Sequence, residues 1–178
     1  PFYKVSDILF ANTRTDIGFA FTVNTEGGNS FIGSGVLDGD GIPADFFSDV
    51  HVRRAFSYCF DYDTLANEVM QGEANRAPVL MLPGMVGYDA DAPQYTYDIE
   101  KCQEELQAST WTSEDGTQLF DLGFRMSAVY NVGNTLRQTI AELLQAGLQE
   151  AGSQFVVEVV GLPWPTFLAN INAKKDRK

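Results

Sequence analysis

The chain has 178 residues, 44% of them hydrophobic, and a formal net charge of -12. That hydrophobic share is typical of a folded globular protein, and the length suits one domain with its own core. The acidic balance argues against nucleic-acid binding, because phosphates require a basic surface. From length and composition we expect residues 1–178 to form a single domain, and the strand and helix patterns described below indicate an α/β (mixed α+β) class with helices packed on a sheet.

The two ends of the chain suggest a piece of something longer. The sequence opens abruptly at PFYKVSDILFANT and finishes in KKDRK, a basic tail that we interpret as a solvated end. No stretch is long or apolar enough to span a bilayer, and no signal peptide is recognisable. A targeting segment, if the parent protein has one, would then precede residue 1.

The first predicted element is a strand. Ile17, Phe19, Phe21 and Val23 alternate with small or polar residues, the period of a strand with one buried face. The glycine- and acid-rich stretch 25–49 follows as a long loop.

The stretch VHVRRAFSYCFDYDTLANEVMQG (residues 50–72) predicts two helices joined by a tight corner. Ser48 is the expected cap of the first helix, and Asp61 that of the second, which ends at Gly72. The apolar stripes are Val52, Ala55, Phe56 and Cys59 on the first helix and Leu65, Ala66, Val69 and Met70 on the second. The pair Asp61 and Asp63 could suggest catalysis, but a helix start favours ionised carboxylates, whereas a general acid must be protonated. We therefore interpret the corner as a structural connection between two helices rather than as a catalytic site.

Residues 73–97 contain three prolines and predict an extended path whose apolar side chains are pinned against the domain. Asp98 then caps a helix with Ile99, Cys102 and Leu106 on its inner face. Because Cys59 and Cys102 both lie on apolar stripes, we expect two buried free thiols, with a disulfide as the alternative. His51, the only histidine, is expected to make a surface or interhelical contact.

The last third of the chain predicts a strand–helix–strand unit. The alternation in LFDLGFRMSAVY (119–130) indicates a strand, followed by a helix from Thr135 to about Glu150 that ends at Gly152, and a second strand in QFVVEVVGL. Such a crossover makes the two strands parallel. A helix then starts at Trp164, with Pro165 in its first turn.

Motifs of enzymes and metal sites are missing from the sequence. There is no GxSxG, HExxH, GxGxxG or P-loop, and two cysteines with one histidine make no zinc site. DGDG at 38–41 lacks the later ligands of a calcium loop. We expect no catalytic residues, no metal and no cofactor.

The order of these elements resembles a known family. Residues 47–77, FSDVHVRRAFSYCFDYDTLANEVMQGEANRA, look like the hallmark of the family 5 bacterial extracellular solute-binding proteins, the peptide-, oligopeptide- and nickel-binding receptors of ABC importers. Further similarities follow in order at 97–102 (YDIEKC), 111–116 (WTSEDG), 136–152 and 157–167. Together they cover nearly the whole chain.

The resemblance implies a partial lobe of a two-lobed periplasmic-binding-protein-like fold, on the side that carries the C-terminal half of the ligand cleft. It implies a non-enzymatic receptor, expected to be a monomer, that binds peptides or another small solute and delivers it to an ABC permease. Extracellular or periplasmic localisation follows, with membrane anchoring, as in a lipoprotein, through an N-terminal segment outside this sequence. The residues it places at the cleft are Tyr130, Asn131, Asn134 and Trp164.

Three questions remain open from the sequence, and the first is whether a free dipeptide can be the ligand. Similar dipeptide-binding members place an arginine near Asn131 to hold the ligand carboxylate, and here only Arg125 or Arg137 could serve. The ligand could also be a sugar oligomer or a nickel complex, although one histidine at a helix start offers poor ligation for nickel. Finally, the module could be sensory, having kept the lobe and lost transport.

Overall fold

The computed structural model describes Thr15, residues 17–25 and residues 28–171. The opening residues 1–13 and the basic tail 174–178 therefore lie outside the described residues. The chain divides into two compact units, one formed by Pro1–Gly18 with Arg76–Gln94 and the other by Phe19–Asn75 with Tyr95–Lys178. The elements that follow belong to the second unit.

The first helix, α1, spans Val50–Tyr58 and buries Val52, Ala55 and Phe56, as its stripe predicts. Its cap is Asp49 rather than Ser48, because the Asp49 carboxylate accepts a hydrogen bond from the backbone N–H of His51 (2.8 Å). The predicted start is thus wrong by one residue.

The corner after α1 leads into a π-helical turn, Thr64–Val69. The predicted cap is confirmed, since the Asp61 carboxylate accepts from the backbone N–H (2.9 Å) and the hydroxyl (2.7 Å) of Thr64. Gly72 ends the turn with a positive φ of 78°. Val69 is exposed, so the prediction that it faces inward is wrong, because the wider π turn rotates the stripe away from α-helical spacing.

Helix α2, Ile99–Gln107, is confirmed together with its cap. Asp98 accepts from the N–H of Lys101 (3.0 Å), and this hydrogen bond is the main cause of a lowered Asp98 pKa. Cys102 and Leu106 are buried on the inner face. The interhelical contact expected of His51 is also present: its Nδ1 lies 2.7 Å from the carboxylate of Glu105 in α2.

The two cysteines form a disulfide, which corrects the expectation of free thiols. Cys59 and Cys102 are 43 residues apart in sequence, yet their Cα atoms are 5.4 Å apart, within the usual range for a bridge. Both residues are fully buried. Burial alone suits a free thiol equally well, so only the packing of α1 against α2 decides the pairing.

In the described part of the second unit the sheet consists of two parallel strands, β1 (Phe124–Asn131) and β2 (Phe155–Leu162). They are paired from Phe124↔Phe155 to Asn131↔Leu162 and are connected by α4, Thr135–Ala151, which ends at Gly152 as predicted. Helix α5, Trp164–Ile171, follows β2 directly and is also confirmed.

The predicted strand over 119–130 is wrong at its beginning. Leu119–Leu122 form a short helical turn, α3, and the strand starts only at Phe124. Gly123 separates the two with a positive φ of 79°, and a side chain there would collide with the backbone of Gln154. The reversal therefore requires glycine, and it interrupts the alternation that the sequence suggested.

Residues 17–24 do not form the predicted strand. Phe19 and Val23 pack on the core, and the Val23 N–H donates to the carbonyl of Ala44 (2.8 Å). Ile17 and Phe21 belong to the same alternating set but are exposed. Only every second member of the alternating set is thus partly buried, and residues 19–23 lie on the core without joining the sheet.

The core of the second unit is an aromatic cluster enclosed by α1, α2, α4 and the sheet. Neighbouring ring centroids lie 5–7 Å apart in stacked, tilted and edge-on pairs, a favourable spacing for aromatic side chains. Its main members are Phe46, Phe47, Phe56, Phe124 and Phe155. They come from the loop, one helix and both strands, so the core holds the sheet in place beneath the helices.

In the first unit, residues 76–94 have no regular secondary structure, but they follow a series of turns and bends rather than the predicted extended path. The expectation that its apolar side chains are pinned is wrong for four of them: Leu80, Met81, Met85 and Val86 are exposed. Prolines and glycines shape this segment, and its turn hydrogen bonds are local, such as Met85 N–H to Leu82 (3.0 Å).

Candidate binding site at the carboxyl ends of the strands

The candidate site lies where β1 and β2 end side by side. Their final pairs are Tyr130↔Gly161 and Asn131↔Leu162, and the N–H of Val132 extends the ladder to the Leu162 carbonyl (2.8 Å). In open α/β sheets, ligands bind outside the carboxyl ends of parallel strands, because the chain leaves the sheet there and opens a crevice. Two of the four predicted site residues, Tyr130 and Asn131, occupy this edge.

Tyr130 lies across the neighbouring strand. A Cβ atom added to Gly161 would come within 3.0 Å of the Tyr130 ring and hydroxyl, so the ring covers the position that a side chain of β2 would occupy. Tyr130 is half-buried in this place. Gly161 is thus a residue of this edge that was not predicted, although a glycine near the end of a valine-rich strand is a signal of close approach.

The turn from β1 into α4 is built by two asparagines. The Asn134 side chain caps α4 by accepting from the Arg137 N–H (2.9 Å), and the Asn134 N–H donates to the Asn131 carbonyl (3.1 Å). In addition, Arg137 Nη1 donates to Asn131 Oδ1 (2.7 Å). The arginine therefore fastens the end of the strand to the start of the helix.

Helix α5 brings two aromatic rings to the same cluster. Trp164 is 49% exposed and stacks on Phe167 with a centroid separation of 5.9 Å and an interplanar angle of 24°. The guanidinium carbon of Arg137 lies 5.6 Å from the centroid of the Phe167 ring. Phe167, three residues after Trp164 and on the same helix face, is a member that the sequence analysis missed.

We call the group Tyr130, Asn131, Asn134, Arg137, Trp164 and Phe167 the carboxyl-end cluster. Arg137 contacts two of the four predicted residues, Asn131 and Asn134, directly and Trp164 through Phe167, while Tyr130 precedes Asn131 at the strand end and lies over Gly161. It offers aromatic faces, amide groups and one cation. Such a mixture suits binding and orientation of a polar ligand rather than proton transfer.

The other arginine considered for the ligand lies elsewhere. Arg125, at the second position of β1, bonds to the Glu158 carboxylate on the adjacent strand (2.7 Å) and lies 3.8 Å from Asp40. It is therefore near the amino end of the strands and is already paired with acids. Of the two, only Arg137 is beside Asn131.

A separate recess of about 500 Å³ lies near Leu122 and Trp111, where β1 begins. Its acidic side chains include Asp38 and Asp115, whose pKa values are lowered chiefly by hydrogen bonds from Ser34 and Ser113 of their own turns. These carboxylates thus serve the local turns. Within residues 28–171 and the other described positions, no three His, Cys, Asp or Glu side chains come together as a metal site would require.

None of the helices in the described part of the chain has the length and hydropathy needed to cross a membrane.

The chain matches the family described as "Bacterial extracellular solute-binding proteins, family 5 Middle" over residues 4–176. It therefore belongs to this family of binding proteins, and the resemblance seen in the sequence is confirmed.

Two relatives show the range within the family. The oligopeptide-binding protein AppA of Bacillus subtilis is 25% identical over 133 residues, which cover 72% of this chain and 24% of AppA. The dipeptide-binding protein of Escherichia coli is 32% identical over 120 residues, which cover 67% of this chain and 21% of that protein. The matched region thus spans about a quarter of the length of these relatives.

Solved structures confirm the fold class. The periplasmic binding protein DppA from Helicobacter pylori, in complex with the peptide STSA, matches with a TM-score of 0.55 and 20% identity, covering 83% of this chain and 23% of that one. NikA from Brucella suis, in complex with Fe(III)-EDTA, also gives a TM-score of 0.55, with 22% identity over 68% of this chain and 25% of NikA. At this identity the likeness concerns the fold: the chain corresponds to part of the periplasmic-binding-protein fold.

Proposed function

We propose that the chain is part of an extracellular or periplasmic receptor that binds peptides or oligopeptides and delivers them to the membrane permease of an ABC importer. The observation that carries this proposal is the family match over residues 4–176. The two relatives described above are named for oligopeptide and dipeptide binding, which favours a peptide ligand. Binding rather than catalysis also suits a cluster without an acid–base pair.

We further propose that residues 1–178 form a fragment of the lobe on the C-terminal side of the cleft. The relatives are about four times longer than the matched region, so a second lobe has ample chain to form from. Receptors of this kind enclose a ligand by closing two lobes about a hinge. One lobe alone supplies half of the contacts.

Within this lobe the carboxyl-end cluster is the proposed ligand surface, with Tyr130, Asn131, Asn134 and Trp164 as contacts. Tyr130 and Trp164 combine flat apolar rings with one polar group each, which suits side-chain pockets of low selectivity. The two asparagines can hydrogen-bond the peptide backbone, a feature that every peptide shares. Unselective side-chain pockets combined with hydrogen bonds to the peptide backbone suit a receptor that accepts many peptide sequences.

A free dipeptide ligand would present a carboxylate close to Asn131. Arg125 is unsuited to hold it, because it is paired with Glu158 near the opposite end of the strand. Arg137 is at the right end, but its guanidinium is engaged with Asn131 and Phe167. We therefore favour longer peptides over dipeptides.

The disulfide supports a location outside the cytosol. Bridges such as Cys59–Cys102 form and persist in oxidising compartments, which include the periplasm and the cell exterior. Anchoring through a segment upstream of this sequence stays a prediction.

The proposal is tested by native mass spectrometry of the full-length receptor, purified without added ligand. A ladder of co-purified peptide masses is expected, and it would also reveal the preferred length. A single non-peptide mass, such as a sugar oligomer or a nickel complex, would contradict a peptide as the ligand but would still support a receptor function. Repeated isolation of ligand-free protein would favour a sensory module, and the neighbouring genes would then be examined for a permease.

A further inference from the structure

Arg137 is the residue through which the carboxyl-end cluster is connected. Its backbone N–H bonds to the Asn134 side chain, its Nη1 bonds to Asn131 Oδ1 (2.7 Å), and its guanidinium lies over the ring of Phe167 (5.6 Å). These contacts reach the end of β1, the cap of α4 and the body of α5. We propose that Arg137 is a positioning residue that orients Asn131 and Trp164 toward the ligand without binding the ligand itself.

The geometry uses both features that distinguish arginine from lysine. Nη1 of the planar guanidinium donates to the amide oxygen of Asn131, while the guanidinium carbon lies over the Phe167 ring, 5.6 Å from its centroid and within the range of a cation–π contact. A guanidinium can do both at once because its donors lie in the plane and its π-face is weakly hydrated. A lysine ammonium keeps the charge but has no face, so it could satisfy only one of the two partners.

The bond to Arg137 also fixes which way the Asn131 amide points. Arginine only donates, so the amide oxygen must face it, and the NH2 group is directed to the other side. Asn134 is constrained in the same sense, because its oxygen caps α4. Both asparagines therefore offer N–H donors to a ligand. The ligand group that matches them is an acceptor, such as the carbonyl oxygens of a peptide backbone.

The aromatic side of the cluster is fixed by stacking. The Arg137 guanidinium lies within cation–π range of Phe167, which is buried, and Phe167 stacks on the half-exposed Trp164. Holding Phe167 therefore holds the indole and sets the position of its exposed part. This inference rests on the proposed function only in taking the carboxyl-end cluster as the ligand surface.

The positioning role is tested without any ligand, by the indole N–H resonances of the 178-residue chain in ¹H–¹⁵N NMR spectra. The chain has two tryptophans, and Trp111, whose indole N–H bonds to the Phe46 carbonyl (3.0 Å), serves as an internal control for folding. Arg137→Lys is expected to shift the indole N–H resonance of Trp164 and to leave the resonance of Trp111 unchanged. The matched control Arg125→Lys should move neither. An unshifted Trp164 resonance in Arg137→Lys would overturn the proposal.

The effect of the cluster on peptide binding is tested by native mass spectrometry of the full-length receptor with a mixture of synthetic tri- to pentapeptides. Asn131→Asp keeps an acceptor for Arg137 but removes the donors, so it should retain the Trp164 resonance and weaken peptide binding about tenfold, the equivalent of one hydrogen bond. Arg137→Lys should weaken binding by a similar factor. Unchanged binding in Asn131→Asp, with binding lost in Arg137→Lys, would show direct contact of Arg137 with the ligand and overturn the proposal.

The failure of the proposed function would look different. If Arg137→Lys shifts the Trp164 resonance but neither variant changes peptide binding, Arg137 does position the cluster and the ligand surface lies elsewhere. The assignment of the cluster to peptide binding would then be rejected, while the role of Arg137 within the cluster would be supported.

Discussion

Replacing Asp49 by alanine should be among the most destabilising changes at a polar position. The Asp49 carboxylate caps α1 through the His51 N–H and also accepts three hydrogen bonds from the segment after α2: the Ser109 hydroxyl (2.9 Å), the Thr110 N–H (2.9 Å) and the Thr110 hydroxyl (3.1 Å). It thus joins two segments about 60 residues apart. Ser109 is only 5% exposed, so water cannot readily replace the lost partner.

The magnitude follows from the two kinds of bond that are lost. Removing a helix cap costs about 1 kcal/mol. Leaving a buried hydroxyl without its acceptor costs roughly another 1–3 kcal/mol. We therefore expect Asp49→Ala to lower the free energy of unfolding by about 2–4 kcal/mol, a large part of the 5–15 kcal/mol typical of a domain. Asp49→Asn keeps one acceptor oxygen and should lose about half as much.

The assay is urea unfolding followed by circular dichroism, with Asp63→Ala as the matched control. Asp63 also stands at a helical start but makes no side-chain capping bond, and it is exposed. The control should change stability by no more than about 0.5 kcal/mol. If Asp49→Ala cost no more than Asp63→Ala, the argued role of the carboxylate would be refuted.

The same carboxylate gives a pH signature. Burial tends to raise the pKa of Asp49, but hydrogen bonds from Thr110, His51 and Ser109 outweigh it, and the pKa is lowered from its ordinary 3.8. A carboxylate with a lowered folded-state pKa contributes stability that is present above the unfolded-state value and lost as the pH falls through the folded-state value. The stability difference between the natural chain and Asp49→Asn should therefore be constant near neutrality and shrink below about pH 4.

Three further outcomes are expected. Gly147→Ala should destabilise the chain by at least about 1–3 kcal/mol, because the added methyl group would collide with the Cys59 carbonyl oxygen; Gln149→Ala, exposed on the same helix, should be near neutral in the same urea titration. Replacing Cys59 and Cys102 together by alanine should lower the free energy of unfolding by about 4 kcal/mol, because the bridge no longer restricts the unfolded chain by closing a loop across a 43-residue separation. The bridge would be contradicted if alkylation followed by mass measurement found two free thiols in the oxidised natural chain. The 178-residue chain alone should bind peptides no more tightly than about millimolar, because half a cleft cannot enclose them; calorimetry showing sub-micromolar binding would count against the two-lobe proposal.

The sequence by itself determined the elements whose signals are local. Asp98 begins a helix and Gly152 ends another, because a cap needs only its own neighbours in the chain. The long helix Thr135–Ala151 and the strand Phe155–Leu162 show their periods within a single window of sequence. The parallel pairing of the strands followed from the length of the crossover.

Tertiary structure alone decided the features that depend on distant neighbours. Alternation over residues 17–23 predicted a strand, but a strand also requires a partner for its backbone, and the described residues place this segment on the core outside the sheet. The Cys59–Cys102 pairing depends on the approach of α1 to α2, which no local pattern encodes.

The candidate site shows the same division. The resemblance to the family indicated Asn131 and Trp164 as ligand contacts, a role that stays a proposal, and in the structure both are linked to Arg137. Their connection through Arg137 and Phe167 became visible only when the end of β1, the start of α4 and the body of α5 were brought together. Caps and periods are short-range properties of the chain, whereas a site is a long-range arrangement that packing of the core imposes.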